Sequence, residues 1–92
     1  MVVNLEEMKN YIRVDSSEDD GLISALIASS EKLCQSVARQ NNDKLLEEHP
    51  EMYKIAVLYA TAYLYEHREE ADHHQLDITL RALLFGVRKN EF

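Results

Sequence analysis

Tryptophan is absent, cysteine and proline occur once each and glycine twice in a chain of 92 residues. A single thiol, Cys34, closes no internal disulfide and makes no zinc site by itself. A reducing, cytosolic setting is therefore the expectation. The longest nearly unbroken apolar run, 55–65, holds eleven residues including Thr61, whereas a membrane span needs about 20. The opening MVVNLEEMKN has no basic stretch leading into an apolar one, so no secretory signal is expected there. Positive charge is also scarce: 10 basic residues face 17 acidic ones, for a net charge of −7. A nucleic-acid reader usually carries a basic stripe, so groove-reading DNA or RNA binding is not expected.

What remains is a folding composition, 46% apolar and 29% charged, without internal repeat, linker or low-complexity run. The length predicts one domain over 1–92, with 86–92 as a flexible C-terminal tail. A domain this small buries only about 60–65% of its unfolded surface, so its stability is modest or is supplemented by association.

Hydrophobic periodicity points to helices throughout. Asn4 with Glu7 forms a capping-box pair opening a short helix that runs to about 13, with Leu5, Met8 and Ile12 on one stripe. Ser16 or Ser17 is the expected cap of a second helix over 18–39. Its first turn holds Glu18, Asp19 and Asp20, where carboxylates suit the helix dipole. Leu22, Ile23, Leu26, Ile27, Leu33, Cys34 and Val37 recur at steps of three and four along it. Residues 40–43 read as a loop, and 44–49 either as loop or as one helical turn. Pro50 fits the first turn of a third helix over 51–70. This helix is apolar nearly all round, which a small domain covers only with difficulty, so one side is expected to face a neighbouring subunit. Asp77 is the expected cap of a last helix over 78–85, stopped at Gly86. The predicted fold is all-α with about four helices: short, long amphipathic, central apolar and short C-terminal.

The residues that invite chemistry fail its spacing rules. A calcium loop started at Asp15 puts Asp20 where the turn needs glycine and Leu26 where a bidentate glutamate is needed. His67, His73 and His74 lie among Glu66, Glu69, Glu70 and Asp72, yet no two of these histidines are four apart, as a helical metal pair requires. A solvated, charged helix end explains the cluster better than a metal-dependent enzyme does. Cys34 falls in the apolar register and reads as a buried thiol. Ser29 and Ser30 have neither a sharp turn nor a base. No catalytic, cofactor or metal residue is assigned, and no enzyme is expected.

The order of motifs resembles the tailed-phage head–tail connector family, whose members are also described as possible DNA-packaging proteins. The carrying residues are Tyr11-Ile12-Arg13-Val14-Asp15, then Glu18-Asp19-Asp20, then Leu22-Ile23-Ser24-Ala25-Leu26-Ile27. Further on, Tyr65-Glu66-His67-Arg68 closes a helix rich in alanine and tyrosine, and Leu83-Leu84 with Arg88 forms the ending. The resemblance covers roughly the whole chain. It departs at the end, where Phe85-Gly86-Val87-Arg88 stands in place of a proline-tyrosine-arginine finish.

The resemblance implies a structural subunit that forms a ring, about twelve-fold, beneath the portal of a DNA-filled capsid. Such a ring extends the DNA channel and docks a tail or head-completion protein; DNA is passing cargo and no membrane is involved. The implied location is the virion neck, with the host cytoplasm before assembly. Net negative charge suits a channel that must not grip phosphates. On that reading Tyr53, Tyr59, Tyr63, Tyr65, Glu66, Arg68 and Glu69 are candidate subunit contacts. Asn41, Asn42, Arg88 and Lys89, with the 41–49 loop, are candidate contacts to portal or tail partners. The alternative is a small helical adaptor or regulatory protein that binds one partner beside the third helix.

Overall fold

A computed structural model describes residues 2–69 and 73–84 and places five helices among them, with no strand. They are α1 (Leu5–Ile12), α2 (Asp20–Ala38), α3 (Asn42–Glu48), α4 (Pro50–Glu66) and α5 (His74–Leu83). The all-α expectation holds, with one helix more than the sequence suggested.

Local chemistry explains most of the boundaries. Asn4 caps α1: its side chain accepts from the Glu7 N–H at 2.8 Å, and the Glu7 carboxylate accepts from the Asn4 N–H. Asn41 caps α3 in the same way through the Lys44 N–H, so the helical alternative for 44–49 holds and the helix begins two residues earlier, inside the 40–43 segment read as loop. Pro50 occupies the first turn of α4, where its missing N–H leaves no bond unmade.

Two expected starts moved. Neither Ser16 nor Ser17 caps α2; the N-cap is Asp19, whose side chain makes no cap bond. Its carboxylate is taken by the Tyr65 hydroxyl at 2.6 Å. α5 begins one turn before Asp77, because Leu76 is buried with Leu80 and the Asp77 N–H bonds to the His73 carbonyl. Asp77 sits inside the helix and binds Arg81 one turn on at 2.9 Å. α4 ends at Glu66, short of the expected 70. The proposed tail, 86–92, lies outside the described residues.

α4 is the hub. It packs against all four other helices, and α2 does the same. α2 and α4 run antiparallel: Gln35 meets Tyr53 at one end, and Asp19 meets Tyr65 at the other. Ile23, Ile27, Cys34 and Val37 of α2 face Tyr53, Ala56, Val57 and Ala60 of α4, closed by Met8, Leu45, Leu76 and Leu80. Short side chains, Ser30 and Thr61 among them, line the buried faces of these two helices. An extended segment before α1 is pinned by the Val2 N–H to the Glu31 carboxylate at 2.8 Å, with Val3 wholly buried. The molecule measures 46 × 29 × 16 Å; its thin dimension is that of about two helix layers.

Candidate interaction surface

Burial pushes the Cys34 thiol up to about 12, with the negative charge of Glu31 adding to the effect, so it stays protonated and unreactive. Among the described residues no three histidine, cysteine or carboxylate side chains are placed to hold a metal ion. No described helix is long and apolar enough to cross a membrane.

The histidines at the end of α4 pack as rings. His67 stacks on Tyr63 with centroids 4.2 Å apart, and His73 meets the same ring edge-on at 6.2 Å. Beside them the Arg68 guanidinium lies 4.7 Å above the Tyr65 ring and also donates to the Tyr65 carbonyl. The Tyr65 hydroxyl donates to Asp19, and that acceptor, by favouring the protonated phenol, raises the Tyr65 pKa. This corner fastens the end of α4 to the start of α2.

The expected subunit contacts therefore separate into two groups. Tyr53 is a correction: it is fully buried and has no surface to give a neighbour. Its hydroxyl donates to Asn42 Oδ1 at 2.7 Å and accepts from Gln35 Nε2 at 3.0 Å, which fixes α3 against α2 and α4. Tyr65 and Arg68 are engaged with each other inside the subunit. Tyr59 and Tyr63 are half-buried, and Glu66 and Glu69 are exposed. Of the expected partner contacts, Asn41 is exposed and caps α3, while Asn42 accepts from Tyr53. Arg88 and Lys89 lie outside the described residues.

The outward side of α4 brings the exposed members together with residues the sequence reading passed over. Glu51, Ile55, Tyr59, Ala62 and Glu66 recur at steps of three and four and so share one face. Ile55 is 50% exposed at its centre, and Tyr11 of the adjoining α1 is 51% exposed. The Lys54 ammonium pairs with Glu7 across the α1–α4 seam, which holds Glu7 below the usual carboxylate range. Glu51 and Glu66 make no ion pair among the described residues.

α2 shows the opposite character. Its exposed residues include Leu22, Ala25, Ala28, Ser29, Lys32 and Ser36, with Arg39 exposed just past its end. None of these is acidic. Glu31 is half-buried on the Val2 N–H, and Asp20 is paired with Lys9 at 2.8 Å. Lys32 and Arg39 have no carboxylate partner among the described residues. The sequence signal for both faces was the same three-and-four spacing that marks the core, read half a turn away.

Comparison with known proteins adds one match. A family model, described as phage gp6-like head-tail connector protein, matches residues 2–90. No curated protein and no solved structure matches the chain.

Proposed function

The chain belongs to the phage gp6-like head-tail connector family, and from that premise we propose that it works as a repeated structural subunit of the virion neck. Copies of it assemble into a ring of about a dozen under the portal. The ring continues the DNA channel and presents a platform for the next head-completion or tail protein.

The observation that carries this reading is the outward side of α4. The hub helix of a domain this small leaves Ile55 half exposed, with Tyr59 and Ala62 on the same face. Such a face is suited to another protein surface. Tyr59, Tyr63, Glu66 and Glu69 supply subunit contacts, and Arg68 acts by holding the Tyr65 corner beneath them. The α3 corner, led by Asn41, faces portal or tail partners together with Arg88 and Lys89. DNA passes as cargo; ten carboxylates without an ion pair among the described residues, Glu6, Asp15 and Glu18 included, disfavour a tight grip on phosphate.

Ile55→Asp tests the assignment. An exposed site away from the core shifts stability by no more than about 0.5 kcal/mol, so the monomer should melt as the native chain does while self-association weakens. Sedimentation velocity over a concentration series reads the second effect. Unchanged association of a folded Ile55→Asp chain would remove this face from the contact.

A further inference from the structure

Assembly through the outward side of α4 leaves open what that side meets on the next copy. We infer that it meets the outward side of α2, so that each subunit uses two different faces and the contact runs head to tail. The inference rests on the connector reading above and specifies its partner surface as a second copy of this chain.

Sidedness is the first argument. α4 buries Tyr53, Ala56, Val57, Ala60 and Thr61 and turns Glu51, Ile55 and Glu66 outward, with Tyr59 and Ala62 half-buried on the same face. α2 buries Ile23, Ile27, Ser30, Cys34 and Val37 and turns Ala25, Ala28, Ser29, Lys32 and Ser36 outward. The two helices pack on each other, so their outward sides lie on opposite faces of a molecule 16 Å thick. Joining opposite faces of identical units is a heterologous contact, which closes into a ring when the rotation permits. A two-fold pairing would instead bring like faces together.

Charge is the second. The α4 side carries Glu51 and Glu66 near its two ends, and neither makes an ion pair among the described residues. The α2 side carries Lys32 and, at its end, Arg39, and exposes no carboxylate between Gly21 and Arg39. On a protein of net charge −7, this is a long surface to which an acidic face can come close without repulsion. Like faces meeting would set Glu51 and Glu66 against their own copies, which is unfavourable.

Shape agrees with charge. The α4 side presents large side chains, Ile55 and Tyr59, and the middle of the α2 side presents small ones, Ala25, Ala28 and Ser29. Small residues let a facing helix approach closely, so its larger side chains fill the space between rows.

Charge reversal at these exposed positions tests the pairing in the full chain. Lys32→Glu with Arg39→Glu makes both faces acidic, and Glu51→Lys with Glu66→Lys makes both basic. Each pair should weaken self-association on the order of tenfold or more, with helical content kept and melting lowered only slightly by the unfavourable helix-dipole pairing of Glu51→Lys or Arg39→Glu. The chain carrying all four changes has opposite faces again, with their signs exchanged, and should recover assembly. Sedimentation velocity of the native chain and the three variants reads all of this. A native chain that assembles while the folded variants assemble equally well would overturn the face assignment and leave the ring reading standing. Failure of the fourfold variant to recover, with its fold intact, also overturns the pairing. A native chain that never associates, or that stops at a closed dimer, overturns the ring reading itself and this inference with it.

Discussion

Removing the Tyr53 hydroxyl takes a donor from Asn42 and an acceptor from Gln35 in one step. Tyr53→Phe keeps the ring in the core, so its effect is confined to those two bonds, about 1–2 kcal/mol in total. The Asn42 bond holds the start of the short α3 to α4, whereas the Gln35 bond joins two long helices that also pack along their lengths, so amide exchange in α3 should quicken while the centres of α2 and α4 stay protected. Equal quickening in all three helices would mean that the hydroxyl supports the core at large. Cys34 gives a second prediction at this scale. Its folded pKa is raised to about 12, from 9.0 for a free thiol, so the unfolded chain loses this proton first. The stability contributed is complete below about 9 and is lost as pH climbs through about 12. Tyr53 acts in the same direction, because its burial also favours the protonated phenol. Denaturant midpoints should therefore fall over that alkaline window. Cys34→Ala should flatten the lower part of the fall, and native Cys34 should resist thiol reagents at neutral pH.

The helices themselves were legible where a terminus or a stripe carried its own chemistry. The Asn4–Glu7 pair and Pro50 marked real starts, and the three-and-four apolar steps of α2 marked its buried side except at Leu22, which is exposed. The misreadings came from residues whose local preference lost to tertiary structure. Ser16 and Ser17 are good caps, but Asp19 holds the position because Tyr65, 46 residues away, engages its side chain. Asp77 is also a good cap, but burial of Leu76 extends α5 past it. Tyr53 was grouped with the other tyrosines because sequence shows a phenol and not the Gln35 and Asn42 groups that satisfy it. Helix endings carry a prediction of their own. Both α1 and α2 end on an arginine in the left-handed region, Arg13 at φ 59° and Arg39 at φ 57°. Side chains with a Cβ are disfavoured there, and glycine is not. Arg13→Gly, which touches neither proposed face, should stabilise the chain by up to about 1 kcal/mol in chemical denaturation. A loss of similar size would show that the Arg13 side chain makes a contact of its own.

At the scale of the whole molecule, a two-layer domain 16 Å thick has room to bury one face of each long helix and not both. The exposed side of α4 carries Glu51 and Glu66 around a half-exposed Ile55, and the exposed residues of α2 include no carboxylate, a difference that suits a unit meant to be repeated. Family membership over residues 2–90 makes the chain a phage head-tail connector protein. A small adaptor would need only one of the two faces. Native mass of the tag-free chain over a concentration series, with negative-stain images of the largest species, tests the account most directly. Closed rings of about a dozen copies, growing in as concentration rises, are the predicted result. A tight dimer of unchanging mass, with its two-fold contact closing off the shared face, would contradict it.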